Sequence, residues 1–290
     1  MTRSLPNRAS QRGVALLLVL WACTLLAILL GGYGALARTE GLQARYQFAQ
    51  TQAHYTAEAG LMRAIYSLQD PQLRQRWISD GRAYTFRYNG AAVVIHAVDE
   101  GGKVDLNTAT PEVLRNLFHA VGLPPAEAEL LAMHVVEWRN PLRMTGEGDA
   151  QRAAYAAAGL HYGPRNGPFV SMGELQLVLG MTPALYRRIE PVLTIWSGNT
   201  SPNPNTSSML ALQTIPGMTP QQLQEILAAR QQNANDPSMA LNNGTTHSIQ
   251  SEATLADGTR AVLRATVRMQ AGLVGIQPYA VLRWREGEQE

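Results

Sequence analysis

The sequence predicts an α+β protein in which a long N-terminal membrane helix leads into an α/β domain, and an inserted all-α domain interrupts that domain. Three observations support this prediction. An uncharged apolar run covers residues 14–37. Strand-like segments occur in two groups, at residues 83–98 and 247–285. The stretch between the groups, residues 104–241, repeats a helix–turn–helix pattern three times.

The apolar run is long enough to cross a membrane. Its 24 residues would form a helix of about 36 Å, against a hydrocarbon core of about 30 Å. The preceding leader carries Arg3, Arg8 and Arg12 and no acidic residue. Because positive charge stays on the cytoplasmic side, we expect the leader in the cytoplasm and the chain after residue 37 outside.

The junction Gln11-Arg12-Gly13-Val14 departs from an ordinary signal peptide. Such a peptide has a 7–15-residue apolar stretch that ends in a small-residue cleavage site. Here the stretch is longer, no clean small-x-small site closes it, and the glycine precedes it. This order resembles a type IV prepilin leader, which is cut after the glycine so that the mature chain begins at Val14. The alternative is a plain single-pass anchor in which Gly13 has no role.

The helix is predicted to continue beyond the membrane to Leu68. An apolar stripe with spacings of three or four runs along one face of an amphipathic helix: Leu42, Tyr46, Ala49, Ala53, Ala57, Leu61, Ala64 and Leu68. Residues 14–68 would form a rod of about 80 Å. Gly31, Gly32 and Gly34 predict either a bend or local unwinding, or close packing against neighbouring helices.

Turn signals organise the strands. Asn89-Gly90 predicts a hairpin between residues 83–88 and 91–98, and Asp257-Gly258 a turn between 247–255 and 260–269. A helix and a pair of strands come first, and further strands follow only after a long intervening segment. This order indicates one α/β unit that is split by an insertion. The polar stretches 197–208 and 231–246 predict a linker and a mobile loop.

The insertion contains three helix–hairpin–helix units. Their turns begin at Gly122, Gly180 and Gly217, and read Gly-Leu-Pro-Pro, Gly-Met-Thr-Pro and Gly-Met-Thr-Pro. Glycine supplies the left-handed residue that ends the first helix. Thr182 and Thr219 are placed to cap the second helix, with proline in its first turn.

These units lack the features of DNA-binding hairpins. In the DNA-binding form a second glycine, two residues after the first, lets backbone N–H groups approach phosphate, whereas Pro124, Thr182 and Thr219 stand here. Residues 104–240 carry 8 arginines and no lysine against 11 acidic residues, and a phosphate binder needs clustered positive charge. We therefore expect no nucleic-acid partner and interpret the repeats as packing units.

No residue set predicts catalysis. The chain contains no P-loop, GxSxG elbow or HExxH motif, so we expect no enzymatic activity. Cys23 is the single cysteine, which excludes an intramolecular disulfide. His134 and Glu137 are interpreted as part of a solvated helix face. Glu147 and Asp149 are weak candidates for Ca²⁺ ligands in a loop, and carboxylates in such loops are usually just solvated.

Taken together, these features resemble the K-type minor pseudopilin family of the bacterial type II secretion system (general secretion pathway protein K). The motifs that carry the resemblance are the junction with its apolar run, Thr56-Ala57-Glu58-Ala59-Gly60-Leu61, Asp99-Glu100-Gly101-Gly102-Lys103-Val104-Asp105-Leu106-Asn107, Ser171-Met172-Gly173-Glu174-Leu175, Asn205-Thr206 and Pro216-Gly217. They extend from residue 11 to about residue 230, and the C-terminal strands fit in pattern only.

The resemblance implies a pilin-like α/β domain whose sheet is interrupted by helix–hairpin–helix (SAM-like) repeats. The implied divisions are a cytoplasmic leader (1–13), a transmembrane half-helix (14–37), the first part of the pilin-like domain (38–103), the inserted helical domain (104–241) and the C-terminal strands (242–290). It also implies cleavage between Gly13 and Val14 by prepilin peptidase and N-methylation of Val14.

The implied role is non-enzymatic. The family protein sits in the inner membrane with its C-terminal domain in the periplasm, at the tip of a short pseudopilus. Its partners are the I- and J-type minor pseudopilins, the major pseudopilin and the inner-membrane secretion platform, and it helps to initiate pseudopilus assembly. Two alternatives remain open: a minor pilin of a type IV pilus, and a membrane-anchored helix–hairpin–helix DNA-uptake protein.

Leu18 fits the tip position. Most pilin-like proteins carry glutamate at the fifth mature residue, where it pairs with the N-terminal amine of a neighbouring subunit; counted from Val14, that residue is Leu18. An unpaired carboxylate in a bilayer costs a few kcal/mol, and a tip subunit has no neighbour ahead of it. A plain apolar anchor also predicts leucine here.

The chain departs from the family at its metal site. Some members bind Ca²⁺ through an acid-rich stretch of the helical domain, but residues Arg139-Asn140-Pro141 and their neighbours are poor in acids. We therefore expect no cofactor.

Overall fold

The computed structural model describes residues 12–141, 147–270 and 277–287. Its first element is the helix α1, Arg12–Leu68, which at 1.5 Å per residue is about 85 Å long. The helix continues without interruption through Gly31, Gly32 and Gly34, so the predicted unwinding is wrong. A Cβ atom built on any of these three glycines would have no described heavy atom within 4 Å. The surface around them is therefore open.

Seven strands are described: β1 (Asp80–Tyr88), β2 (Ala91–Asp99), β3 (Val104–Asp105), β4 (Leu193–Thr194), β5 (Thr246–Thr254), β6 (Arg260–Met269) and β7 (Tyr279–Glu286). Five of them form an antiparallel sheet in the order β1-β2-β5-β6-β7. The predicted hairpin between β1 and β2 is confirmed, because Asn89 and Gly90 both have positive φ, at 50° and 83°, as the tight turn requires.

The helix α1 packs across one face of this sheet and creates the first hydrophobic core. We call this cluster the sheet core; its buried residues are Ala57, Leu61, Ala64, Ile65, Leu68, Val93, Ile95, Ala97, Ile249, Ala253, Leu263, Ala265 and Val267. A Cβ on Gly60 would lie 2.3 Å from Ser251 Oγ and 2.8 Å from Val93 Cγ1. Glycine therefore allows the closest approach of α1 to the sheet.

The predicted apolar stripe is buried only where the sheet lies beneath it. Ala53, Ala57, Leu61 and Ala64 are fully buried, as the spacing predicts. Leu42, earlier on the same stripe, remains exposed. The sheet thus covers the last four turns of α1 and leaves the earlier turns outside the core.

Residues 100–245, called the insert here, leave the sheet after β2 and return to its neighbour β5. The helices of the insert are α2 (Pro111–Ala120), α3 (Pro125–Arg139), α4 (Glu147–Ala157), α5 (Pro183–Ile189), α6 (Met209–Leu212) and α7 (Pro220–Gln232). The insert is not purely helical as predicted, because β3 and β4 form a short parallel pair. Likewise, the second repeat begins with a 3-10 helix, Met172–Leu177, rather than an α-helix.

The insert has its own hydrophobic core, the insert core. Its buried residues lie between Val104 and Ala211 and include Leu114, Leu117, Phe118 and Ile189, each fully buried. None of the residues of the sheet core belongs to it. The described residues therefore form two separate cores.

Candidate assembly interface

The N-terminal half of α1 presents apolar side chains on every side. Residues 14–68 form a helix long and apolar enough to cross a membrane, and the most apolar part of this helix is not buried by any described residue. Cys23 also lies exposed on this half. A helix that is apolar all round needs an apolar environment, so this half is compatible with a single-pass membrane anchor.

Gly13, Val14 and Leu18 all lie in the first two turns of α1. The side chain of Leu18 is 65% exposed and that of Val14 62% exposed. Because they are four residues apart, both lie on the same face of the helix. The structure therefore places Leu18 on an open apolar surface that a neighbouring helix or lipid would cover.

A second open surface lies on α1 beyond the apolar run. Phe48, Tyr55 and Tyr66 are exposed, and their spacings of seven and eleven residues place them on one face of the helix. The spacing of apolar residues in the sequence indicated the buried stripe of α1 and not this aromatic stripe. Exposed aromatic residues in a row are typical of a protein–protein contact.

The three predicted hairpin turns adopt the expected geometry. Gly122, Gly180 and Gly217 have φ values of 94°, 87° and 73°, a region that favours glycine. The caps form as predicted: Thr182 Oγ1 accepts from Leu185 N at 3.2 Å, and Thr219 forms a capping box with Gln222. Each glycine ends one helical segment and starts the next within its own hairpin, which is a structural role.

A polar junction joins the sheet to the insert. Asp99, the last residue of β2, accepts hydrogen bonds from Gly101 N at 2.9 Å and from Thr206 Oγ1 at 2.9 Å. Asn243 Oδ1 accepts from Ser79 N at 3.1 Å and from Ser79 Oγ at 2.9 Å, and Asn243 Nδ2 donates to Trp77 O at 2.8 Å. Buried polar groups need partners, and these hydrogen bonds supply them for Asp99, Ser79 and Asn243.

The polar stretches that suggested a linker and a mobile loop belong to this junction. Asn203 N donates to Gly101 O at 2.8 Å, and Asn205 Nδ2 donates to Asn242 Oδ1 at 3.2 Å. A Cβ on Gly102 would lie 2.7 Å from the backbone of Thr206. These segments are therefore hydrogen-bonded in place, and the prediction of a linker and a mobile loop is wrong.

The junction also buries ionisable groups. Glu100 is fully buried, and its Oε1 pairs with Lys103 Nζ at 2.7 Å. His247, opposite Asp99 in the sheet, is buried, and among the described residues its Nδ1 has no hydrogen-bond partner. Burial lowers the pKa of His247 below its usual value, although the nearby carboxylate of Asp99 opposes this effect. Burial therefore favours the neutral form of the imidazole.

The residues suggested as weak metal ligands do not form a common site among the described residues. Glu147 and Asp149 open α4 instead of lying in a loop, and Asp149 Oδ1 pairs with Arg152 at 2.5 Å. His134 Nδ1 lies 2.9 Å from Leu179 O. Within the described ranges, no group of three or more His, Cys, Asp or Glu residues could hold a metal ion.

Comparisons with known proteins agree with this architecture. The family model of type II secretion system protein K matches residues 91–198. A type II secretion system protein K from Klebsiella pneumoniae is 29% identical over 206 residues, which cover 62% of this chain. The match spans 61% of the length of that relative.

A solved structure shares the fold. It is the GspK-GspI-GspJ complex of the type 2 secretion system from enterotoxigenic Escherichia coli, and the match has a TM-score of 0.56 at 18% identity. It covers 87% of this chain and all of the matched chain.

The described chain is thus an α/β protein with a large insert in its sheet and an exposed helix long and apolar enough to cross a membrane. Its residues 91–198 match the family model of type II secretion system protein K, and the chain is similar to a member of that family.

Proposed function

We propose that this chain is a minor pseudopilin that occupies the periplasmic tip of the type II secretion pseudopilus. There it would help to initiate pseudopilus assembly and so support protein export across the outer membrane. Its role would be structural rather than catalytic. The leader would stay in the cytoplasm, and the sheet and insert would lie in the periplasm.

The observation that carries this proposal is Leu18 on the open apolar surface of α1. No Asp or Glu occurs between residues 14 and 37, so the helix offers no carboxylate to the amine of a subunit ahead of it. A subunit inside a filament gains from such a pair, because it offsets the cost of a buried charge. A subunit with nothing ahead of it gains nothing, and leucine suits that position.

The aromatic stripe of α1 supports assembly with other subunits. Phe48, Tyr55 and Tyr66 lie on the exposed side of the helix, where a second helix could pack against them. The matched solved structure is a complex with GspI and GspJ. By analogy, the partners of this chain would be the I- and J-type minor pseudopilins, and further the major pseudopilin and the secretion platform.

Processing is part of the proposal. Prepilin peptidase would cut between Gly13 and Val14, and Val14 would then be N-methylated. Mass spectrometry of the protein from a host with prepilin peptidase should identify N-methylated Val14 as the first residue. A mature chain that begins at any residue other than Val14 would contradict the proposed cleavage site.

Co-purification tests the system to which the chain belongs. We expect the full chain, co-expressed with I- and J-type minor pseudopilins, to be isolated with both. Capture with type IV pilus subunits instead, or salt-sensitive binding of duplex DNA without I and J, would contradict the proposed role.

We further propose that the protein acts without a bound metal. Asp149 already pairs with Arg152, which leaves this carboxylate less available to a cation. Metal analysis of purified protein equilibrated with calcium should find no stoichiometric ion. One tightly bound calcium per chain would contradict this.

A further inference from the structure

Three asparagine–glycine pairs occur in the chain: Asn89-Gly90, Asn166-Gly167 and Asn243-Gly244. In such a pair the backbone nitrogen of the glycine can attack the Cγ atom of the asparagine side chain, since glycine has no Cβ atom to shield that nitrogen. The attack needs a side-chain amide that is free to turn and a backbone that can move. The structure differs at the three pairs in both respects.

The reaction needs no oxidant or reductant. A bond forms between the glycine nitrogen and the asparagine Cγ, the bond from Cγ to Nδ2 breaks, and the amide leaves as ammonia with the proton of the glycine N–H. Water then opens the resulting succinimide ring at one of its two carbonyls. The products are aspartate and isoaspartate, and in isoaspartate the backbone continues through the former side-chain carbon.

Hydrogen bonds hold both reacting groups of the pair Asn166-Gly167. Asn166 Nδ2 donates to Gln151 Oε1 at 2.9 Å, and Gly167 N donates to Trp138 O at 3.1 Å. Attack would require both hydrogen bonds to open, and each of them stabilises the closed state. This pair is therefore protected in the folded protein.

The pair Asn243-Gly244 is held at the polar junction. The Asn243 side chain accepts from Ser79 N and Ser79 Oγ and donates to Trp77 O. A Cβ atom built on Gly244 would clash with Asp99 Oδ1, so this stretch of backbone has little room to rotate. Neither the amide nor the glycine is free to move toward the other.

The pair Asn89-Gly90 is less restrained than the other two. Both residues are exposed, and a Cβ atom built on Gly90 would meet no described heavy atom within 4 Å beyond its neighbours in the chain. Among the described residues, the Asn89 side chain makes no hydrogen bond, and Gly90 N donates to no backbone carbonyl. The described surroundings therefore restrain neither the amide nor the attacking nitrogen.

The position of this pair at a hairpin tip supplies the required motion. Asn89 has a φ of 50°, and the backbone must rotate out of this turn geometry before Gly90 N can reach Cγ. The pair lies beyond the last paired residues, Tyr88 and Ala91, and β1 is an edge strand. Such tips open at a small fraction of the free energy of global unfolding. A local opening of the tip thus gives access to the reactive geometry while the core stays folded.

The second hairpin turn, Asp257-Gly258, lacks this reactivity. Aspartate forms the same ring only as the protonated acid, because a carboxylate is a poor electrophile. Asp257 Oδ1 accepts from Thr259 N at 2.9 Å, and this hydrogen bond lowers the pKa of Asp257 below its usual value. Gly258 N also donates to Leu255 O at 3.1 Å. The two turns therefore differ, although both join neighbouring strands of the sheet.

We propose that Asn89 is a site of spontaneous deamidation in the folded protein. Isoaspartate adds a methylene to the backbone of a two-residue turn that accepts few geometries, so the pairing of Tyr88 with Ala91 is weaker in the product. The inference goes beyond the proposed function and is independent of a place at the pseudopilus tip. Its failure would leave the tip assignment intact.

Ageing of the full chain in neutral detergent, in water labelled with heavy oxygen, tests the proposal. Ring opening by this water places the label at the modified residue, and peptide mass spectrometry locates it. We expect deamidation at Asn89 to be at least about tenfold faster than at Asn166 or Asn243, because the hydrogen bonds that hold those two side chains must first open. Equal rates at all three residues, or a faster rate at Asn166 or Asn243, would overturn the proposal.

The same chain in urea is the control for local sequence. Unfolding removes the hydrogen bonds at all three pairs, so the faster rate of Asn89 should largely disappear. A ratio of rates that urea leaves unchanged would assign the difference to the neighbouring residues in the sequence and would overturn the structural argument.

The variant Asn89→Gly separates the modification from other effects of ageing. Glycine suits this position of a two-residue turn and carries no amide. Hydrogen-exchange protection at Tyr88 and Ala91 should fall in the aged wild type in proportion to deamidation, and it should stay unchanged in aged Asn89→Gly. An equal loss of protection in both aged proteins would overturn the effect that we assign to deamidation of the hairpin.

Discussion

The two hydrophobic cores are built by different means. The sheet core joins parts of the chain that are far apart, because α1 packs on strands that begin more than 150 residues later. The insert core lies between Val104 and Ala211 and is assembled from neighbouring helices, most of all α2 and α3. Contacts between near neighbours in sequence form with less loop-closure entropy.

The two cores therefore have different roles: the sheet core attaches α1 to the sheet, and the insert core stabilises the insert. The sheet core ties α1 to the sheet and so links the exposed apolar half of this helix to the rest of the molecule. The insert core contains no residue of α1, and hydrogen bonds at the polar junction connect the insert to the sheet. The comparison predicts that damage to one core leaves the other largely folded.

The largest effect is expected in the insert core. Phe118→Ala removes a fully buried ring and should lower the free energy of unfolding of the insert by about 3–5 kcal/mol. Hydrogen exchange should accelerate in α2 and α3 and change little in β2 and β5. Phe48→Ala, at a ring that is 72% exposed, is the control, with an expected change below about 0.5 kcal/mol. Equal acceleration in both regions would mean that the cores unfold together.

The reciprocal change targets the sheet core. Leu61→Ala leaves a cavity between α1 and the sheet at a fully buried site, and should cost about 2–5 kcal/mol. Exchange should accelerate in the sheet while α2 and α3 stay protected. Leu42→Ala removes the same atoms from an exposed part of α1. If the two leucine variants were equally stable, packing of α1 on the sheet would not hold this core together.

A smaller effect is expected at the polar junction. Asn243→Ala removes the acceptor of Ser79 N and the donor to Trp77 O, which should cost about 1–3 kcal/mol because Ser79 is buried. Denaturant titration of the variant and of Asn233→Ala, at an exposed helix end, gives the comparison. Asn233→Ala should lower the free energy of unfolding less than Asn243→Ala does. A larger loss for Asn233→Ala would contradict the structural role of the junction.

The smallest effect is a pH dependence. Since the pKa of His247 is lowered in the folded protein, its contribution to stability is complete above the unfolded pKa of about 6.5. It is lost as pH falls from there through the folded pKa, at no more than about 1.4 kcal/mol per pH unit. Stability of the wild type between pH 7 and 5 should fall more steeply than that of His247→Gln. His161→Gln, at an exposed histidine, should follow the wild type; parallel slopes for all three proteins would show that His247 is not a source of the pH dependence.

Short sequence patterns correctly predicted the elements whose structure depends on residues that are close in sequence. The Asn89-Gly90 hairpin, the glycine turns at Gly122, Gly180 and Gly217, and the burial of Leu61 follow from backbone preferences and helical spacing, and the structure contains all of them. The long N-terminal helix, apolar enough to cross a membrane, followed in the same way from an uncharged run.

Long-range contacts escaped prediction. Asn243 and Ser79 are 164 residues apart, so nothing in their local sequence indicated a hydrogen bond, and the polar stretch around Asn243 suggested a mobile loop. The two-residue strands β3 and β4 are too short for a periodic signal. The pairing of β6 with β7 likewise has a register shift between Thr266 and Val267 that no local pattern indicated.

The proposed position of this chain at the pseudopilus tip is tested most directly by two glutamate substitutions in the exposed apolar half of α1. Leu17 and Leu18 are 59% and 65% exposed, so Leu17→Glu is a matched control for Leu18→Glu. With no subunit ahead, both carboxylates stay unpaired and each costs about 2.5–3.5 kcal/mol. Both variants should therefore reduce recovery of the complex with I- and J-type partners to the same degree. If Leu18→Glu assembled normally while Leu17→Glu did not, the carboxylate at residue 18 would be paired with the N-terminal amine of a subunit ahead of it. The tip assignment would then be wrong.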